Sequence, residues 1–341
     1  MKKPVEKKKT KPLWMKILFS LVALVVLLVM SGAAFEAVAS YQGAKKFPPE
    51  GKLVNAGSSK LHLRQQGAGK PTIIFETGSG VASTGWRDLP KKLSDYATVV
   101  TYDRAGYAWS EEATTERTGD NIVRELYTAL QKENIEGPYI LVGHSLGGMY
   151  SRLFAQTYPN EVEGVVLLDA RPENFSKETA PFFEKANLDP VSVNTPPANM
   201  LALLKRIGVL RLMENSILVG LSEEEQDLAM NIELQPKFFQ AQEQELKNMT
   251  DLENSIRNQS LGSIPLTIIT HGIPSDATGF GISSKDNKRM EEVWQEQQKQ
   301  LLDLSTDSKL VIAEKSGHFV MDDEPELVFN AIKEQIEQTK Q

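Results

Sequence analysis

No cysteine occurs anywhere in the 341 residues. Disulfides, thiolate metal sites, a cysteine nucleophile and cysteine lipidation are therefore all excluded. Histidine is scarce too, with four in the whole chain, and no cluster of His, Asp or Glu has the spacing of metal ligands. No Gly-rich loop follows the pattern that cradles phosphate, and no segment repeats. Basic residues are nowhere interleaved with aromatics. The formal net charge is −7, although residues 2 to 16 carry seven lysines against the single Glu6, so the remainder is more acidic still. An acidic body without a basic stripe argues against nucleic acid as a partner. What the chain does have is 40% apolar residues, enough at this length to fill a sizeable core.

Beside the lysines, Ile17 to Phe35 is uncharged and mostly apolar. As a helix these residues would reach about 28 Å, close to the ~30 Å hydrocarbon core of a bilayer. The expectation is a basic cytoplasmic tail over 1–16, a transmembrane helix over 17–39 and a linker over 40–51 that contains Pro48 and Pro49. By the positive-inside rule the N-terminus stays in the cytoplasm and the rest lies outside. The alternative is secretion after signal-peptide cleavage near Ala39, since Ala37-Val38-Ala39 has the small-x-small pattern.

Beyond the linker, strand-like and helix-like segments alternate, which implies a parallel sheet covered on both faces. Lys52 to Ala56 and Lys60 to Gln65 flank Gly57-Ser58-Ser59 and read as an opening hairpin. Short apolar runs at Thr72 to Glu76, Thr98 to Tyr102, Tyr139 to Val142 and Val162 to Leu168 are of buried-strand type. Trp86 to Ser94 and Asn121 to Glu133 have helical spacing between them. From Arg171 to about Gly262 strands disappear, and helical patterns occupy Asn199 to Met213, Ser222 to Met230 and Pro236 to Ile256. Alternation resumes with the strand Ile264 to Thr270, a helix over Ser284 to Leu304, the strand Lys309 to Ala313 and a helix from Glu324 to Gln338. A helical insert at this point would cap the carboxyl edge of the sheet, where open α/β folds bind ligands. The expected division is a core of 52–170 and 263–341 with a cap of 171–262.

Gly143-His144-Ser145-Leu146-Gly147 ends one of those strands and opens a helix. Such an elbow forces its serine into a strained backbone conformation that exposes the hydroxyl, and its glycines let neighbouring segments approach. The start of the helix supplies N–H groups for a developing oxyanion. A serine hydroxyl needs a base at neutral pH, and histidine is the natural one. His144 adjoins the serine and should point away from its hydroxyl, His62 lies in the hairpin, and His271 ends a strand where it could line the site but reads more readily as structural. His318, in Ser316-Gly317-His318-Phe319 between the last strand and the last helix, falls at the same sheet edge as the elbow and is the expected base. Asp103 and Arg104, a charged pair in a tight turn, read as structural.

With these motifs in view, the chain from about Lys52 onward resembles the α/β-hydrolase superfamily, here a capped, serine esterase or lipase-like form with an N-terminal anchor. The resemblance rests on Glu76-Thr77-Gly78-Ser79-Gly80, Tyr102-Asp103-Arg104-Ala105-Gly106-Tyr107, the elbow with Gly148, and Ser316-Gly317-His318. It implies a mostly parallel sheet of about eight strands with a helical cap after strand six. It also implies acyl transfer through Ser145, with His318 as general base and then acid, and no cofactor. Leu146 and Ser79 would supply the oxyanion-hole N–H groups, Thr77-Gly78 standing where many relatives have His-Gly. Two aspartates are available to orient His318. Many members place the acid after strand seven, where Asp276 lies one residue beyond the usual Gly-x-x-Asp spacing. Asp169, at the end of strand six, is similar to the arrangement of some lipases and haloalkane dehalogenases and is preferred.

The expected activity is hydrolysis of a small-molecule carboxylic ester. An amide or peptide hydrolase, or an acyltransferase, would use the same triad. A serine at the elbow argues against dehalogenation, for which relatives use an aspartate. A non-catalytic binding protein on this fold would be expected to lack the nucleophile or the base.

Overall fold

The computed structural model describes residues 12–189 and 196–339. Most of the lysine-rich tail, including Lys2 to Lys11, lies outside the described residues.

Eight strands form one sheet: β1 (Lys52–Asn55), β2 (Lys60–Gln66), β3 (Thr72–Glu76), β4 (Thr98–Asp103), β5 (Tyr139–His144), β6 (Val162–Leu168), β7 (Leu266–His271) and β8 (Ser308–Ala313). Their spatial order is β1-β2-β4-β3-β5-β6-β7-β8. The opening hairpin is antiparallel, and β2 meets β4 antiparallel; every later pairing is parallel. β3, β4, β5 and β7 are buried along their whole length, as expected of strands covered on both faces. One side packs Ile122, Leu126 and Leu130 of the helix Gly119–Lys132 together with Met149 and Leu153 of the helix Leu146–Thr157. The other packs Trp86, Leu89 and Leu93 with Val328, Ile332 and Ile336 of the C-terminal helix Pro325–Thr339.

Between β6 and β7 the chain leaves the sheet for a helical insertion, beginning with Phe175–Lys185 and ending with Met249–Ser255. Two of its expected helices are broken. The Asn199 to Met213 pattern becomes Ala198–Arg206 and Val209–Leu212, separated at Gly208, whose φ of 78° ends the first helix. The Pro236 to Ile256 pattern becomes Pro236–Lys247 and Met249–Ser255, divided at Asn248.

The largest departure from expectation is at the N-terminus. The helix does not stop at residue 39; it runs from Leu13 to Lys46, and seven residues assigned to a linker are helical. Ala44, Lys45 and Lys46 favour helix, and Pro48-Pro49 stop it. Every residue from Leu13 to Ser31 is exposed, whereas Glu36 and Gly43 are buried against the insertion. By length and composition this helix can cross a membrane.

Candidate active site

Parallel register brings the carboxyl ends of β5, β6, β7 and β8 level with one another, and the site is assembled from the residues that leave those ends. His144 pairs with Leu168, Leu168 with Ile269, and His271 with Ala313. Ser145 and Asp169, each one residue beyond its strand, therefore lie side by side. Both adopt positive φ, 52° and 42°. Neither is glycine, so each holds backbone strain of the kind found where side chains must be presented out of a turn. Local bonds fix the turn: Ser145 N–H donates to the Leu168 carbonyl at 3.1 Å and Arg171 N–H to the Ser145 carbonyl at 3.1 Å. The elbow glycines are needed for space. A Cβ on Gly147 would stand 2.2 Å from the Glu76 carbonyl oxygen, and one on Gly143 would stand 2.6 Å from that of Gly147.

His318 arrives from the loop after β8. Its Nδ1 lies 2.6 Å from Asp169 Oδ2, and its Nε2 lies 3.0 Å from Ser145 Oγ. An ionised carboxylate only accepts, so Nδ1 carries the proton, and Nε2 is left to accept from the serine hydroxyl. The His318 side chain is 33% exposed, against 0% for Asp169. Reactant can therefore reach the imidazole but not the carboxylate behind it.

Asp169 is heavily bonded. Its Oδ1 accepts from Thr270 Oγ1 (3.1 Å), His271 N–H (3.1 Å) and Trp294 Nε1 (3.0 Å), while Oδ2 accepts from His271 Nδ1 (2.7 Å) as well as His318. Burial pushes the carboxyl up, but the bonds from His271 and His318 outweigh it and hold Asp169 below its ordinary range. His271 also loses solvation, yet Asp169 on one side and Glu291 on the other raise it to about 9, so it is a cation at neutral pH. The Asp169, His271 and His318 ligand atoms lie within 4.8 Å of one another, a proximity that this hydrogen bonding accounts for.

Asp276, the alternative acid, is not brought to this cluster. It is exposed in the loop after β7, where Oδ1 accepts from the Thr278 N–H at 2.9 Å. His144 points away from the serine hydroxyl: its Nε2 donates to the His318 carbonyl at 2.9 Å, tying the elbow to the histidine loop. Burial drives His144 down to about 3, with the nearby His318 adding to the effect, so it stays neutral. His62 is buried and bonds Asp103 Oδ2 at 2.8 Å.

The loop after β3 passes Ser145 so closely that a Cβ on Gly78 would lie 3.2 Å from the serine Cβ. Arg104 holds this loop. Its guanidinium donates to the Thr77 carbonyl (2.8 Å), the Gly78 carbonyl (2.9 Å), Glu76 Oε1 (2.8 Å) and Glu245 Oε1 (2.9 Å) from the insertion. In a trans peptide the Gly78 C=O and the Ser79 N–H point opposite ways, so anchoring the carbonyl on Arg104 turns the Ser79 N–H away from it. The Ser79 N–H has no acceptor among the described residues. Leu146 opens its helix, so its N–H has no intrahelical acceptor.

A cavity of about 210 Å³ opens on Ser145 and His318 and is walled by Arg171, Phe175, Met290 and Trp294. A larger one, about 380 Å³, lies within the insertion and does not include Ser145.

Sequence reading does not identify Thr270, Trp294 or Arg104 as members of this site, and it weighs His271 as a lining residue but prefers a structural role for it. Trp294, an aromatic in the otherwise very polar helix Ser284–Gln300, carries a visible signal, as does Arg104 within its motif.

Compared with known proteins, residues 71–201 match a family described as alpha/beta hydrolase fold. The uncharacterized protein YbdG of Bacillus subtilis (strain 168) is 34% identical over 164 residues, 47% of this chain and 50% of that protein, so the chain spans half the length of this relative. A mutant of epoxide hydrolase from Solanum tuberosum superposes with a TM-score of 0.65 at 17% identity, covering 85% of this chain and 99% of the other. A thermophilic esterase from Thermogutta terrifontis does so with 0.56 at 19%, covering 84% and 97%.

Proposed function

We propose, from the premise that this chain belongs to the α/β-hydrolase superfamily, that it is a membrane-anchored serine hydrolase that cleaves carboxylic esters through an acyl-enzyme on Ser145. The observation that carries the reading is the unbroken hydrogen-bond line from Ser145 Oγ through His318 to Asp169.

The chemistry follows from that line. Ser145 Oγ attacks the ester carbonyl carbon as its proton passes to His318 Nε2, and the carbonyl oxygen becomes an oxyanion facing the Leu146 and Ser79 N–H groups. The imidazolium that forms is stabilised by Asp169, which stays ionised. Collapse expels the alkoxide, which takes the proton from Nε2 and leaves as the alcohol. Water then enters, gives a proton to Nε2 and attacks the acyl carbon. Release of the acid returns the proton to Ser145.

Fold alone would admit an epoxide substrate, but the nucleophile argues against it. Serine attack on an epoxide carbon would form an ether, which water and a histidine do not cleave. Attack on an acyl carbon forms an ester, which they do.

The insertion serves as a cap over this edge of the sheet, and the N-terminal helix is retained as the anchor. Glu36, three residues before the signal-like cleavage point, accepts from Lys205 Nζ and from Arg211 Nε (2.8 Å) in the cap. Cleavage near Ala39 would remove Glu36, taking from Lys205 and Arg211 the carboxylate they share and from the insertion the helix face that packs on it. With the lysines preceding the span, the catalytic domain lies on the outer face.

The test is labelling of the full chain with a fluorophosphonate, with the adduct located by peptide mass spectrometry. Labelling at Ser145 that disappears in His318→Ala supports the reading. A folded protein that is not labelled would make a non-catalytic binding role the better account.

A further inference from the structure

We propose that the cap segment from Met200 to Val219 is seated in the outer-leaflet interface of the bilayer that the N-terminal helix enters, so that the active-site domain lies against the lipid surface and does not hang from a flexible tether. The proposal rests on the helix being retained as an anchor.

Two observations meet here. The first is where the bilayer ends along the helix. Counted from Leu13, or from Ile17 just after Lys16, a ~30 Å hydrocarbon core at 1.5 Å per residue is crossed after roughly 20 residues, between Gly32 and Glu36. Trp14 and Tyr41, both exposed, stand about 40 Å apart along the axis, the separation of the two aromatic-rich interfaces. That same stretch of helix is where the cap docks. A Cβ on Gly32 would lie 2.3 Å from the Ile207 carbonyl oxygen. Glu36 is bonded to Lys205 and Arg211, Gly43 packs on Asn231, and Lys46 pairs with Asp227 at 2.5 Å. The helix leaves the lipid already fastened to the cap.

The second observation is what the docked segment shows to its surroundings. Among the described residues, twelve large apolar side chains are exposed outside the N-terminal helix, and six of them fall in this one segment: Met200, Leu203, Leu212, Met213, Ile217 and Val219. Leu212 is 84% exposed and Val219 78%. An apolar cluster of this kind marks a surface that meets something. Its fusion to a helix at the depth where hydrocarbon gives way to headgroups identifies the partner as lipid. Apolar residues at that depth gain from burial, and the exposed Arg206 is placed for anionic headgroups.

Because the chain has no cysteine, single-cysteine labelling is clean. The full chain would be reconstituted in phosphatidylcholine/phosphatidylglycerol vesicles with an environment-sensitive fluorophore at Leu212→Cys, Val219→Cys, Val25→Cys or Ile312→Cys. Lipids carrying a nitroxide at shallow or deep positions would be the quenchers. Leu212→Cys and Val219→Cys should lose roughly half or more of their fluorescence to the shallow nitroxide. Val25→Cys should respond to the deep one, and Ile312→Cys, on β8, to neither. Quenching at Val25 with none at Leu212 or Val219 would overturn the proposal and leave the anchor standing. If those two labels were also shielded from aqueous iodide, a second copy or another protein would be the occupant. No quenching at Val25 would overturn the anchor reading itself, and this proposal with it.

Discussion

Glu76 at the end of β3 and Asp169 just beyond the end of β6 are buried carboxylates at the same edge of one sheet, and they are shifted in opposite directions. Desolvation lifts Glu76 to about 7, and the attraction of Arg104 offsets it only in part. Asp169 is buried as well and is nevertheless kept below the ordinary carboxylate range. The difference lies in what faces each group. Asp169 collects five hydrogen bonds, two of them from His271, whose ring is cationic. Glu76 must share one guanidinium with Glu245, and Tyr102 Oη is its remaining side-chain donor. Burial sets how strongly a carboxylate feels its partners; the partners set the direction. The contrast suits the proposed mechanism, in which Asp169 stays charged beside an imidazolium while Glu76 only has to hold a loop.

The sharpest way to break the comparison is to neutralise Asp169. In Asp169→Asn the His318 ring loses its charged partner and its fixed tautomer, and kcat on a chromogenic ester should fall by about 10⁴. Truncating Ser145 or His318 should cost more, roughly 10⁴ to 10⁶. Near-wild-type turnover by purified Ser145→Ala would sink the mechanism.

Removing the cation from the other cluster tests stability instead. Arg104→Met leaves Glu76 and Glu245 facing each other in the interior and frees the Thr77 and Gly78 carbonyls, so unfolding free energy should drop by about 3 to 5 kcal/mol. Urea titration reads this directly. Adding Glu245→Gln should recover part of the loss, because one of the two stranded charges is gone.

Glu76→Gln gives a smaller effect whose sign depends on pH. The folded carboxyl titrates near 7 against an ordinary 4.5, so its contribution is fully present below about pH 4.5 and is lost as the pH rises through 7. The wild type should therefore lose a few kcal/mol of stability across that window, and the glutamine variant should show a flatter profile. Asp169 behaves in the opposite sense. Its contribution is present above its ordinary 3.8 and is lost only as the pH falls through the lower folded value. A steep loss of stability between about pH 5 and 8 in both proteins alike would show that Glu76 is not responsible.

The mildest change is His271→Gln. It removes a positive charge from Asp169 without touching Ser145 or His318, so the acid limb of the kcat/KM profile should move to higher pH by up to about one unit while kcat on the plateau changes little. An unchanged limb would mean that Glu291 already cancels the His271 charge.

Much of this edge was legible before any tertiary contact was known. Tyr139 to Val142 and Val162 to Leu168 could hardly be anything but buried strands, and the turn at Ser145 follows from the glycines either side of it. Choosing between Asp169 and Asp276 was another matter. Both follow strands that end at the same edge, and spacing along the chain carries no information about which side chain turns inward. The partners of Asp169 come from β7, from the helix Ser284–Gln300 and from the loop after β8, up to 149 residues away. The N-terminal helix teaches the same lesson. Its apolar run was plain, but its docking through Gly43 and Lys46 on Asn231 and Asp227 of the insertion is a pairing that no local pattern reveals.

The sequence by itself determined the strand-and-helix alternation, the elbow, the histidine loop and the apolar N-terminal run, because each is written in periodicity or turn chemistry within a few residues. Only the tertiary structure decided which aspartate meets His318, that Arg104 holds the loop beside Ser145, and that Glu36 fastens the helix to the insertion. Those are electrostatic choices made where burial removes water and a charge must find its partner among residues distant in the chain.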